Sequence, residues 1–119
     1  MLKARHDRAK NIVPFADITA GVQAELDRIQ QDLYDRAKQR MTENTHVIDS
    51  WDAFVDLFDN KGGGFAMAHW CGDGACEQTV QDKTKATIRN IPFERDETVG
   101  ECVHCGTKSI GRVVFAQGY

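Results

Sequence analysis

Four cysteines do most to limit what this chain can fold into. Cys71 and Cys76 flank Gly72-Asp73-Gly74-Ala75, Cys102 and Cys105 flank Val103-His104, and twenty-five residues separate the two pairs. Such an excursion is long enough to bring two close pairs back onto one tetrahedral ion. Zinc prefers thiolate sulfur, has no redox chemistry of its own, and in structural sites is closed by four protein ligands. The spacing therefore points to a single structural zinc ion held by Cys71, Cys76, Cys102 and Cys105.

Other uses of four cysteines fit less well. Two disulfides need an oxidising compartment, and the opening Met1-Leu2-Lys3-Ala4-Arg5-His6-Asp7 lacks the apolar core of a secretory signal. A redox CxxC normally starts a helix, whereas Gly106-Thr107-Lys108-Ser109 follows Cys105. Haem attachment needs a histidine directly after the second cysteine, where Gly106 stands. An iron–sulfur cluster stays open as an alternative, although the two-pair layout suits zinc better. His69 and His104 are expected beside the ion rather than on it, and the ring of His104, inside the two-residue gap, is expected to point away from it. Four thiolates leave no position for water, so the site is read as structural rather than catalytic.

The 119 residues, 41% of them hydrophobic, suffice for one core without disulfides. No run approaches the roughly 18 consecutive apolar residues of a membrane span, so no membrane partner is expected and the chain is read as cytoplasmic. The formal charge is −3, against the basic balance of a general nucleic-acid binder. Charge is uneven, however: Lys3, Arg5, Arg8 and Lys10 crowd the start, while residues 43–60 carry Glu43, Asp49, Asp52, Asp56 and Asp59 without a Lys or Arg until Lys61.

Periodicity supplies the elements. Residues 1–16 read as a strand or linker. Ile18, Val22, Leu26, Ile29, Leu33 and Ala37 recur at helical spacing and predict an amphipathic helix packed on a core. Thr45–Ile48 reads as a strand, and Asp49-Ser50 caps a second helix from Trp51 to near Asn60, with Trp51, Phe54, Val55 and Phe58 on one face. Gly62-Gly63-Gly64 stops that helix; with no Gly-Lys-Ser/Thr and no helix behind it, it is not a phosphate loop. Phe65–Trp70, Lys85–Ile91 and Gly111–Ala116 read as strands. The order predicts a two-layer α+β domain, helices on one face of a mixed β-sheet, with the four-cysteine loop at one end.

With those residues laid out, the chain resembles the C-terminal zinc-binding domain of prolyl-tRNA synthetase of the archaeal and eukaryotic-like type, found also in some bacteria. The resemblance rests on Gly63-Gly64-Phe65 running into His69-Trp70-Cys71-Gly72, on Cys76-Glu77, and on Lys83-Thr84-Lys85-Ala86-Thr87-Ile88-Arg89. It continues through Ile91-Pro92-Phe93, Cys102-Val103-His104-Cys105-Gly106 and Phe115-Ala116-Gln117-Gly118-Tyr119. It implies that residues 1–16 are the last strand and linker of a preceding anticodon-binding domain, and that 17–119 are the C-terminal domain. The four cysteines match the family's zinc ligands, and Tyr119 matches a terminal tyrosine whose carboxylate reaches toward the aminoacylation site of the intact enzyme. Lys83, Lys85 and Arg89, read as a basic strand, either face tRNA phosphates or offset the negative zinc site.

The resemblance implies a class II parent enzyme: a homodimer that binds ATP, proline and proline tRNA and contains catalytic and anticodon-binding domains as partners of this one. The 119 residues leave no room for the class II catalytic sheet, so the isolated chain is expected not to aminoacylate tRNA. The alternative reading is a freestanding zinc-ribbon-like module that binds nucleic acid or a protein.

Overall fold

Contacts divide the chain into two compact units, Met1–Thr42 and Glu43–Tyr119, and the computed structural model describes residues 1–118. In the first unit, the segment read as strand or linker forms two very short antiparallel strands, β1 (Leu2–Lys3) and β2 (Lys10–Asn11), followed by a 3-10 turn at Phe15–Asp17. Helix α1 then runs over Ile18–Glu43. Its start agrees with the periodicity, but none of its residues is buried.

Charge ties the hairpin to this helix. Arg28 bonds Asp7, Glu25 and Asp32, His6 Nε2 lies 3.1 Å from Asp32, and Asn11 donates to Glu25 at 2.7 Å. The Ala9 amide and then Arg28 hold the Asp7 carboxyl below its ordinary 3.8. Arg28 foremost does the same to Glu25, ordinarily 4.5. Because both folded values are depressed, this contribution to stability is present above the ordinary carboxylate range and is lost as pH falls through the folded values. Arg28→Met should therefore raise both carboxyl midpoints in an NMR titration of the side-chain carbons; midpoints unmoved by the substitution would refute the coupling.

The second unit contains β3 (Thr45–Ile48), α2 (Trp51–Asp59), β4 (Phe65–His69), α3 (Gly74–Thr84), β5 (Ala86–Asn90) and β6 (Arg112–Gln117). The sheet order is β3-β4-β6-β5, with β3 parallel to β4 and the other pairs antiparallel. Cross-strand partners share a face. Ala66 sits opposite Phe115, Ala68 opposite Val113, and Ile88 also opposite Phe115. That face receives Phe54, Leu57 and Phe58 of α2 and Cys76 and Val80 of α3, forming the hydrophobic core. The mixed sheet with helices on one face is the two-layer α+β arrangement read from the sequence.

Small side chains on β4 leave room for large ones opposite. Ala66, Ala68 and Phe115 are all fully buried, and Phe54 meets Phe115 edge to face at a centroid distance of 5.2 Å. Ser50 accepts a bond from the Ala53 amide and starts α2 where the sequence places its cap. The glycine run ends α2 as expected and has a second purpose. Gly64 has φ +112, and a Cβ there would lie 2.6 Å from the Asn44 carbonyl oxygen, so no other residue fits where the chain enters β4.

Helix α3 has no counterpart among the elements read from the sequence, and the strand expected from Lys85 begins at Ala86 instead. Asp73 caps α3 through the Ala75 amide, and the helix ends at Lys85 in the left-handed conformation, φ 61. Glu77 reaches from α3 to accept the Ile88 amide at 3.1 Å, which fixes the helix against β5. Among the described residues, no helix is long and apolar enough to cross a membrane.

Candidate metal centre

The end of β4, the first turn of α3 and the turn before β6 meet at one end of the sheet. Cys71 follows β4 by two residues, and the cap at Asp73 turns the chain so that Cys76 enters α3 facing the core. The second pair is carried by a tight turn. The Gly106 amide donates to the Cys102 carbonyl at 3.0 Å and the Cys102 amide to the Thr107 carbonyl at 2.8 Å. That turn is pinned to β4 by Val103 N–H on the His69 carbonyl, 2.9 Å, and by Ile110 N–H on the Trp70 carbonyl, 2.8 Å.

The sulfurs of Cys71, Cys76, Cys102 and Cys105 all lie within 4.8 Å of one another, close enough to hold one metal ion. Cys76 and Cys102 are 3.7 Å apart, well beyond the roughly 2.05 Å of a disulfide, and all four cysteines are free. Cys76 and Cys102 are buried, Cys71 is half-buried and Cys105 is exposed. An open cleft of about 460 Å³ borders the cluster, with Cys71, Cys76, Cys105 and His104 in its wall.

The protein environment treats the thiols differently. Burial pushes Cys76 and Cys71 up, whereas hydrogen bonding by Thr107 brings Cys105 down to about 6. Of these three thiols Cys105 is thus the one most readily ionised and offered to a cation. The buried thiols give up their protons when the positive charge of an ion arrives, the usual coupling of metal binding to proton release.

Both histidines lie off the cluster, as expected, but His104 does not point away from it. Its Nδ1 is 3.4 Å from the Cys76 sulfur and its Nε2 is 3.3 Å from Lys83 Nζ. A residue in a two-residue gap turns outward only if the turn faces solvent; here α2 and α3 flank the turn, and Trp51 meets the His104 ring edge to face at 4.9 Å. Burial, with the Lys83 charge added, holds His104 below its ordinary value. His69 is buried, bonds Ser109 Oγ through Nδ1 at 2.8 Å, and lies so close to Gly100 that a Cβ there would collide with its ring.

The three basic residues do not share a strand. Lys83 is in the last turn of α3 beside Trp51 and His104, Lys85 is the exposed helix cap, and only Arg89 belongs to β5, where Nε donates to the Ala116 carbonyl at 3.4 Å. The Lys-Thr-Lys spacing read as strand alternation belongs to a helix end. Tyr119 lies outside the described residues.

Arg112 is a further organising residue that the sequence reading passed over. Only 13% of its side chain is exposed, and it bonds Asp49 at 2.6 Å, Asp96 at 3.2 Å, and the carbonyls of Ile48 and Met67 at 3.4 and 3.3 Å. It clamps the end of β3 and the loop before the second cysteine pair to β6. An arginine opening an apolar strand next to the metal loop was the available signal.

Residues 51–119 match the family model described as prolyl-tRNA synthetase, C-terminal. Among curated proteins, a proline–tRNA ligase from Christiangramia forsetii is 42% identical over 118 residues, covering 99% of this chain and 24% of that protein. One from Salinibacter ruber is 45% identical over 118 residues, covering 98% and 24%. The chain thus spans about a quarter of the length of these relatives. Among solved structures, prolyl-tRNA synthetase from Cryptosporidium parvum, in complex with L-proline and AMP, superposes with a TM-score of 0.87 at 23% identity. It covers 98% of this chain and 25% of that one. The family model, covering more than half the chain and including all four cysteines, places this protein in the prolyl-tRNA synthetase family as its C-terminal domain.

Proposed function

We propose that Cys71, Cys76, Cys102 and Cys105 bind one structural zinc ion, and that the domain they stabilise supports ATP-dependent attachment of proline to its tRNA by chemistry located elsewhere in a longer enzyme. The observation that carries the metal reading is the sulfur geometry. A tetrahedral zinc with bonds of about 2.3 Å sets its sulfurs about 3.8 Å apart, and Cys76 and Cys102 are already at 3.7 Å. Bound there, zinc would supply a closed, redox-inert cross-link between β4, α3 and the turn before β6.

Four sulfurs leave no open coordination position, which supports a role in holding shape. In this reading residues 1–16 continue from an anticodon-binding domain. Catalytic and anticodon-binding domains of a cytoplasmic homodimer are the partners, and proline, ATP and proline tRNA are ligands of that enzyme. In that enzyme Tyr119 would supply the terminal carboxylate directed toward the aminoacylation site. The scattering of Lys83, Lys85 and Arg89 over a helix, its cap and a strand weighs against one basic nucleic-acid face, and so against a freestanding nucleic-acid module.

Elemental analysis of the purified chain tests the first half, with one zinc per chain expected. The second half is tested by incubation with ATP, proline and radiolabelled pyrophosphate. No exchange above background is expected. Exchange would place catalysis in this chain and overturn the reading, as would a chain that takes up no zinc.

A further inference from the structure

His104 lines the cleft beside the cluster, with Trp51 and Lys83 packed against its ring, and zinc ligation uses none of these three side chains. Lys83 Nζ lies 5.6 Å over the Trp51 ring and 3.3 Å from His104 Nε2, and His104 Nδ1 lies 3.4 Å from the Cys76 sulfur. Three segments of the second unit, α2, α3 and the turn before β6, converge on this row.

We propose that Lys83, His104 and Cys76 form a directed hydrogen-bond relay in which His104 is a positioning residue for a metal ligand. The direction follows from donor and acceptor inventory. An ammonium group donates and has no lone pair, so the Nε2 facing Lys83 is the acceptor nitrogen of a neutral ring. The single ring proton then sits on Nδ1, which faces the sulfur of Cys76, and Nδ1–H donates to it. Trp51 fixes both ends, with its face toward the ammonium and an edge contact at 4.9 Å to the imidazole.

The relay serves two purposes. It orients Cys76, the ligand that enters from the helix, and lowers the electron density on its sulfur. It also brings one positive charge toward a site where four thiolates around a divalent ion carry two net negative charges, in a partly buried place where that excess is poorly solvated. Lys83 is thereby assigned to the metal centre rather than to tRNA phosphates.

The proposal rests on the zinc reading, and the experiment separates the two. The zinc-loaded 119-residue chain, labelled with nitrogen-15 in histidine, is examined by long-range proton–nitrogen correlation, and zinc affinity is measured by competition with a chelator. The expected result is the Nδ1–H tautomer at His104. His104→Phe, which keeps a ring and removes the donor, should weaken zinc binding about 10- to 100-fold, the usual effect of losing such an outer partner. His104→Asn, whose amide nitrogen can replace Nδ1, should recover most of the loss. Lys83→Met should populate the other tautomer, and Lys83→Arg should not.

An Nε2–H tautomer in the zinc-loaded wild type, or His104→Phe with affinity within about twofold of wild type, would overturn the relay. If His104→Phe fails to fold, the wild-type tautomer and the Lys83 pair decide alone. A wild-type chain that binds no zinc defeats the underlying metal reading, whereas zinc bound with the opposite tautomer defeats only the relay.

Discussion

Cys102→Ala is expected to abolish the cooperative melt of the second unit, and excess chelator should do the same to the wild-type chain. Binding of a structural zinc is worth about 10 to 16 kcal/mol in small zinc-finger peptides, against a total stability of roughly 5 to 15 kcal/mol for an ordinary domain. Cys102 combines this with burial: it is 4% exposed and belongs to the hydrophobic core. Its backbone closes the turn through Thr107 and Gly106, so losing the sulfur also frees the segment that Val103 and Ile110 pin to β4.

Cys105→Ala is the informative contrast. That side chain is exposed and is not itself part of the hydrophobic core, so its removal costs a ligand but little buried packing. A water molecule can occupy the vacated position, as at three-ligand zinc sites. The Cys105 variant should therefore bind zinc more weakly yet still melt cooperatively in excess zinc. Circular dichroism melts of both variants and of the chelated wild type provide the comparison, and an unchanged melt of the wild type in chelator would contradict the claim.

How much of this was readable from residues alone depended on whether the signal was local. The pairs Cys71/Cys76 and Cys102/Cys105 were legible because ligand spacing is a local property, and the structure brings all four sulfurs together. Helix α2 was legible because Ser50 caps it and Trp51, Phe54, Val55 and Phe58 recur at helical spacing; Phe54 and Phe58 are buried, and so is Leu57, which that spacing left out. Helix α3 was not, although its inward stripe, Cys76, Val80 and Thr84, has helical spacing. Only one of those three residues is aliphatic, and the cysteine had already been assigned to a loop. The cap at Asp73 was the signal that would have revealed it.

His104 and Arg112 failed for another reason. The outward turn expected of His104 assumes solvent around the second pair, but Trp51 and Lys83, distant in sequence, stand there instead. Arg112 gathers Ile48, Asp49, Met67 and Asp96, partners up to 64 residues away, and no spacing rule connects them. The basic trio shows the same limit from the other side. Alternation of Lys83 and Lys85 resembles a strand until the left-handed cap at Lys85 separates helix from strand.

The second large effect is expected at Phe54, because it joins the sheet core to the metal centre. Its side chain is fully buried, stacks on Trp51 at 5.5 Å, and meets Phe58 and Phe115 edge to face at 5.0 and 5.2 Å. Phe54→Ala removes three aromatic contacts and leaves a cavity, a change that costs about 3 to 5 kcal/mol. For a unit of this size each kcal/mol lowers the melting temperature by roughly 4 to 8 °C, so a fall of more than about 10 °C is expected. Phe93→Ala is the control, since that ring is entirely exposed and such surface substitutions usually stay within about 0.5 kcal/mol. The loss should also reach the metal site, because Trp51 deprived of its stacking partner no longer fixes Lys83 and His104. Phe54→Ala should therefore release zinc to a chelator faster than wild type at a temperature where both are folded, and Phe93→Ala should not. Equal melting temperatures for Phe54→Ala and Phe93→Ala would show that the aromatic row does not carry the core.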